Sequence, residues 1–226
     1  MRLHDLPALA LTFILSAYWL CVGVKMFRAN RGRLRHDPNV IPKLRIERFM
    51  WIVWVPVIAA WIAMPCVAPA QAYARHPWIG MPNLDVAPIA VVAIRSVATL
   101  VAGGCLLLSI KCWRFMGRNW RMGIDPSQEK VLFSGGPFSV VRHPIYALSI
   151  TLMACSVLVV PTRAMMILAA LHIFLLQLKA RNEERFLLKV HGEAYAEYCD
   201  LTPRFVPWRR FLAGPGGRPI RGDKLL

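Results

Sequence analysis

Acidic residues are scarce in this chain: 12 Asp and Glu stand against 28 Lys and Arg, a formal net charge of +16. Charged residues of both signs make up 18% of the 226 positions, well under the roughly 25% of an average soluble domain. The six cysteines (Cys21, Cys66, Cys105, Cys112, Cys155, Cys199) form no CxxC pair, and no histidine stands at zinc-ligand spacing from them. Neither a disulfide framework nor a structural metal is therefore expected. Four of the cysteines lie in apolar stretches, where the thiol behaves as a small hydrophobe. No GxGxxG follows a strand pattern, which removes the soluble Rossmann route to a nucleotide cofactor. No Gly/Ser-rich linker divides the chain. The first apolar segment has neither a basic start nor a small-residue cleavage site, so it reads as a retained helix rather than a removed signal.

What is abundant is apolar surface, 57% of the sequence, gathered in blocks long enough to cross a bilayer. The blocks are Leu6–Val24, Phe49–Ala68, Val86–Ile110, Ile145–Val160 and Ala164–Leu178. They predict an all-α, polytopic membrane protein with about five transmembrane helices. Pro56 and Pro65 fall inside the second block, where neighbouring helices can re-satisfy freed carbonyls. The last two blocks are short, about 24 Å at about 1.5 Å per residue. Only Pro161-Thr162-Arg163 joins them, so they predict a tight antiparallel hairpin. Three N-terminal helices over 1–110 would then precede a functional core over 111–226.

The basic residues flank these blocks. Lys25–Arg48, Lys111–His143 and Lys179–Leu226 hold 24 of the 28 Lys and Arg. The positive-inside rule makes that side cytoplasmic, with the N-terminus outside and the long tail inside. Anionic lipid headgroups are the expected partners of this charge, and nucleic acid is not, because the basic residues follow span ends rather than forming a separate patch.

One stretch is neither span nor ordinary loop: Gly117-Arg118-Asn119-Trp120, then Ser134-Gly135-Gly136-Pro137-Phe138, then Val141-Arg142-His143-Pro144-Ile145-Tyr146. A second follows the fifth block: Lys179-Ala180-Arg181-Asn182-Glu183-Glu184, then Gly192-Glu193-Ala194-Tyr195, Tyr198 and Thr202-Pro203-Arg204. The ordered set, with a helical hairpin between, resembles the isoprenylcysteine carboxyl methyltransferase and phospholipid methyltransferase superfamily over roughly residues 110–208. The resemblance implies a membrane-embedded S-adenosylmethionine-dependent methyltransferase acting on a lipophilic acceptor: a carboxylate, a thiol or a phospholipid amine. It implies a catalytic group of Glu183, Lys179 and Arg181, and a cofactor group of Gly136, Arg142, His143, Tyr146, Glu184 and Tyr195. Lys179 stands where the family has an arginine, and a lysine is a point charge without the bidentate fork.

The residue types suit that cofactor on their own chemistry. A sulfonium nucleotide needs oxygen near its cation, donors for its carboxylate and a partly dry slot for its purine. Arg142, His143 and the peptides around Gly135-Gly136 can donate; Tyr146 and Tyr195 can pack and hydrogen-bond. At about 100° per residue, His172, Lys179 and Glu183 fall within about 20° of one line on a helix, while Arg181 and Glu184 point elsewhere.

Each motif also has a plainer reading. His143-Pro144 suits a helix start, and Glu183-Glu184 beside Arg181 and Arg185 suits a solvated face. Tyr195 and Tyr198 suit an interfacial anchor, and His172 a satisfied interhelical residue. Arg95 lies about 13 Å into the third block, with no acid in any span to pair with it, and either serves function or snorkels outward. Gly103-Gly104 reads as close helix packing. Two rival functions use the same scaffold, an NADPH-dependent enzyme resembling sterol reductases and a non-catalytic membrane adaptor. Reductases of that kind have more spans than five.

Overall fold

A computed structural model describes residues 5–30, 45–74, 76–81, 88–117, 120 and 132–207. The basic stretch 31–44, Arg118-Asn119, the Asp125-Pro126-Ser127 turn and the tail beyond 207 lie outside the described residues. So do half of the 24 Lys and Arg on which the predicted orientation rests.

The described chain is all-helical. α1 (Leu6–Asn30), α2 (Arg45–Ala74) and α3 (Pro88–Met116) precede a 3-10 turn at Gly136–Ser139. α4 (Pro144–Val159), α5 (Arg163–His191) and α6 (Glu193–Leu201) follow. α3 and α4 both begin on proline, whose fixed φ and missing N–H suit the first helical position. α2 continues through Pro56 and Pro65 without a break, as membrane helices allow. Thr162 starts α5 by accepting from the Met165 amide at 3.1 Å, a side-chain N-cap. α5 and α6 meet at Gly192, whose φ of 54° lies in the left-handed region.

Four of these helices (α1, α2, α3 and α5) are long and apolar enough to cross a membrane, while α4 is apolar but only 16 residues long. The five expected spans therefore resolve into four of full length and one short helix. The fifth block, read as a short span, is the front half of a 29-residue helix that runs unbroken past Glu183 and Glu184.

The helices close into a ring in the order α1, α2, α5, α4, α3. Leu11, Leu15, Trp61, Leu152 and Met153 fill its core, all fully buried. A Cβ on Gly103 would meet Ile14 Cδ1 of α1 at 3.9 Å, whereas nothing lies within 4 Å of Gly104. Only the first of the two glycines sits close to a neighbouring helix.

Polar groups inside the ring find partners across it. Trp54 Nε1 donates to His172 Nδ1 at 3.0 Å, and His172 Nε2 lies 3.0 Å from Ser149 Oγ. Trp61 Nε1 donates to Ser156 Oγ at 2.9 Å. Accepting at Nδ1 leaves the neutral His172 ring its proton on Nε2, so this imidazole is a satisfied structural link among α2, α4 and α5. Arg95 does not snorkel outward. It is buried, and its Nε donates to the Val159 carbonyl at the end of α4, at 2.9 Å.

Candidate functional site at the mouth of the α4–α5 hairpin

The segment leading into α4 is shaped by one glycine. Gly136 has φ 57°, and a Cβ there would stand 2.7 Å from the Phe115 ring. Only glycine satisfies both constraints. Phe115, Phe133 and Phe138 pack together beside it, with ring centroids 5.6 to 6.2 Å apart.

From there the chain runs alongside the segment that follows α6. The Arg142 amide donates to the Pro203 carbonyl at 2.8 Å, and the His143 amide to the Arg204 carbonyl at 3.1 Å. Arg142 Nη1 donates to the Cys199 carbonyl at 2.8 Å and also to the Thr202 carbonyl. Cys199 is in the last turn of α6 and Thr202 is the residue that ends it, so the guanidinium caps the helix. Tyr198 Oη donates to the Phe138 carbonyl at 2.6 Å. The Gly136–Tyr146 segment, α6 and the chain after it are thus one interlocked unit.

Two glutamates on α5 bind that unit. Glu184 accepts from Arg142 Nε at 3.0 Å, from Arg204 Nε at 2.9 Å and from Arg204 Nη2, with His143 Nε2 at 3.2 Å. This bond raises the Arg204 guanidinium above its ordinary pKa. Glu183 accepts from Tyr146 Oη at 2.8 Å and pairs with Lys179 Nζ, one turn back, at 3.8 Å. His143 lies between the two carboxylates, with Nδ1 3.7 Å from Glu183, and its ring stacks on Tyr146 at 5.2 Å and 4°. Both glutamates are largely buried, with side chains 13% and 12% exposed.

His143, Tyr146 and Lys179 form one edge of a cleft of about 670 Å³, counting its open mouth. The opposite walls are aromatic: Tyr18 and Trp19 from α1, Trp54 from α2, Trp113 from α3. On the other side of α5, Arg181, Arg185, Tyr195 and Arg204 line a separate, more polar groove. Burial pushes the Tyr195 phenol well above its ordinary pKa.

Of the nine residues singled out from the sequence, six meet here: Arg142, His143, Tyr146, Lys179, Glu183 and Glu184. The other three do not. Gly136 serves the turn against Phe115, Arg181 is exposed on the far groove, and Tyr195 is buried beneath α6 beside that groove. Helical periodicity sent Glu184 to another face; the structure brings it in, because the Arg142–His143 segment crosses over α5 and touches both faces. Arg204 was missed as a site residue, although the Thr202-Pro203-Arg204 triplet marked its neighbourhood. The aromatic walls from α1 and α2 were missed too, since nothing in a run of apolar residues says which aromatics face inward.

Residues 94–194 match the family model described as phospholipid methyltransferase. No curated protein and no solved structure matches the chain. The family match bears out the resemblance to the isoprenylcysteine carboxyl methyltransferase and phospholipid methyltransferase superfamily, and that family points to membrane methyltransferases in general. The matched segment covers α4, α5 and most of α3, and stops before Tyr195, Tyr198 and Arg204. It also leaves out α1 and α2.

Proposed function

We propose that the chain is an integral membrane S-adenosylmethionine-dependent methyltransferase that acts on a lipophilic acceptor, with its reaction centre at the His143–Glu183 edge of the aromatic cleft. One observation carries the reading: Arg142–Tyr146 and Glu183–Glu184, 37 or more residues apart in sequence, share hydrogen bonds on the rim of a cleft whose other walls are membrane helices.

The donor set suits the cofactor. Glu183 offers an oxygen to a cation, Lys179 and His143 offer donors to a carboxylate, and the stacked His143–Tyr146 pair offers a flat face to a purine. When bound, the cofactor supplies an electrophilic methyl group. This chain's own task is then positioning, which dominates the catalysis of an in-line displacement. Tyr146 Oη fixes the Glu183 carboxylate, and Lys179 offsets its charge. For an amine acceptor, which attacks only when neutral, Glu183 takes the proton; a carboxylate or thiolate needs none removed. Glu184 locks the Arg142 segment to α5. We place this mouth on the cytoplasmic side, from which the cofactor comes, with the acceptor arriving sideways from the bilayer.

Calorimetry on detergent-purified protein tests the reading: S-adenosylhomocysteine binds and NADPH does not. Mass spectrometry of lipid extracts incubated with methyl-labelled cofactor then identifies the acceptor. Glu183→Gln is expected to lower turnover about tenfold or more, a loss of about 1.4 kcal/mol of transition-state stabilisation. S-adenosylhomocysteine affinity should stay within about twofold, because a neutral amide keeps the shape and one acceptor oxygen. Wild-type turnover in this variant would reject the role given to Glu183.

A further inference from the structure

The groove on the far side of α5 takes no part in the reaction centre, yet it gathers cations. Arg181 and Arg185 of α5 line it together with Arg204, and its carboxylates are Glu184 and Asp200. Three guanidiniums thus stand against two acids, one of which, Glu184, is also held by Arg142 and His143. Arg181 and Arg185 are exposed, lie one helical turn apart, and have no side-chain ion pair or hydrogen bond among the described residues. Like charges at that spacing repel. Arg204 spends Nε and Nη2 on Glu184, which leaves Nη1 over in a side chain that is 31% exposed. These donors are open to a ligand.

Solvated arginines on a helix need no ligand, but two further observations set this face apart. Tyr195, Ala196, Cys199 and Asp200 of α6 close one side of it, giving a hollow of about 730 Å³ when its open side is counted. Its level along α5 also matches a membrane surface. Counted from Arg163, the first residue of α5, Arg181 and Arg185 lie about 27 and 33 Å along the helix at about 1.5 Å per residue. The hydrocarbon layer is about 30 Å thick, so the pair brackets its edge, where the headgroup phosphates begin. Guanidinium groups bind phosphate oxygens through paired N–H donors. A choline or ethanolamine headgroup would bring its own cation among the three arginines, whereas a headgroup with net negative charge would not.

We propose that Arg181, Arg185 and Arg204 form a site for the phosphate of an anionic phospholipid, which pins the corner between α5 and α6 to the membrane surface. The lipid held here is a structural ligand and not a methyl acceptor, because α5 separates the groove from the aromatic cleft. The site stands whether or not the reaction assigned to that cleft is correct. It also gives Arg181 a role, which the reaction centre does not. Arg204 lies outside the segment that matches the family, so the site draws on the chain that follows α6.

The test compares dioctanoyl phosphatidylglycerol with dioctanoyl phosphatidylcholine, which has the same chains and no net charge. Neither lipid carries an amine that can take a further methyl group. Calorimetry is run on the purified full chain in nonionic detergent, at about 0.15 M salt to screen attraction beyond about 8 Å. Phosphatidylglycerol is expected to bind about tenfold more tightly, and to raise the unfolding temperature, since a ligand of the folded state stabilises it by mass action. The double variant Arg181→Gln/Arg185→Gln is expected to bring the preference within about twofold. Should it fail to fold, each single variant is expected to lose about threefold of the preference. Arg218→Gln/Arg221→Gln removes the same charge from the tail and is expected to keep the preference. Equal binding of both lipids by wild type, a preference that survives in the folded double variant, or an equal loss on removing the tail charges overturns the site. Inorganic phosphate is expected to bind at least about tenfold more weakly than phosphatidylglycerol. Binding of it as tight as the lipid's, lost in the double variant, would assign the groove to soluble phosphate and overturn the lipid.

Discussion

The two ends of the α4–α5 hairpin are held by different physics. At the His143 end the ties are ionic and redundant: Glu184 alone receives Arg142, Arg204 and His143. At the opposite end the ties are single and mostly neutral: one donor on Val159, one hydroxyl on Met165, one carbonyl of Trp78 for the Ala164 amide. The difference follows from length. α5 outruns α4 at the His143 end by about three turns, so its charged residues reach the segment that leads into α4. At the other end α4 stops short of a full bilayer crossing. Its terminal carbonyls are left in apolar surroundings, where each needs its own donor. The His143 end is built from charge; the buried turn is built from caps.

Removing the hub of the ionic end should break this contrast most severely. Glu184→Ala leaves Arg142, Arg204 and His143 crowded without their anion. The expected cost is about 3 kcal/mol, the lower end of the range for breaking a buried pair, since the Arg142 and Glu184 side chains are each 12% exposed. Thermal unfolding in detergent should drop, and S-adenosylhomocysteine affinity should fall with it as the Arg142–Tyr146 segment lifts from α5. Wild-type stability in this variant would mean that the backbone pairing of Arg142 and His143 with Pro203 and Arg204 is enough by itself.

How much of this was legible beforehand also divides by end. The apolar blocks located the start of every long helix to within four residues, because a bilayer-length run has few other meanings. They ended six residues early on α1, α2 and α3 and thirteen early on α5, where polar residues continue the helix. The motif order brought six site residues together by type. Periodicity put Glu184 on a different face of α5 from Glu183, and Glu184 does line the groove with Arg181. What it could not show is that the Arg142–Tyr146 segment crosses over the helix and touches both faces. Arg204 was hidden for a related reason: a lone arginine after a proline acquires its partner only through tertiary folding. Arg95 had no acid in any span to pair with it, and the group that takes its Nε is a backbone carbonyl, which no sequence pattern marks.

Arg95→Met probes the buried end. It removes the donor on Val159 while keeping most of the side-chain volume. The Val159 residue is fully buried, so its carbonyl finds no water in exchange. The expected loss is about 2 kcal/mol, the cost of stranding one buried acceptor. Relief of burying a guanidinium works in the opposite direction. Thermal unfolding in detergent reports the loss, whereas S-adenosylhomocysteine affinity is expected to stay unchanged, because Arg95 touches the end of α4 that faces away from His143. A variant that unfolds normally but no longer binds S-adenosylhomocysteine would make Arg95 part of the site and erase the distinction between the two ends.

The smallest effect belongs to the cap on α5. Thr162 is fully buried and its hydroxyl accepts from Met165, so Thr162→Ala should cost about 1 kcal/mol. Thr162→Ser keeps the oxygen and loses only a methyl, which separates capping from packing. If the end is held by caps, serine should recover most of the stability that alanine loses. If serine falls as far as alanine, the methyl's packing is what matters. Orphaned backbone groups would then not be what governs the buried turn, and the two ends would differ in polarity without differing in kind.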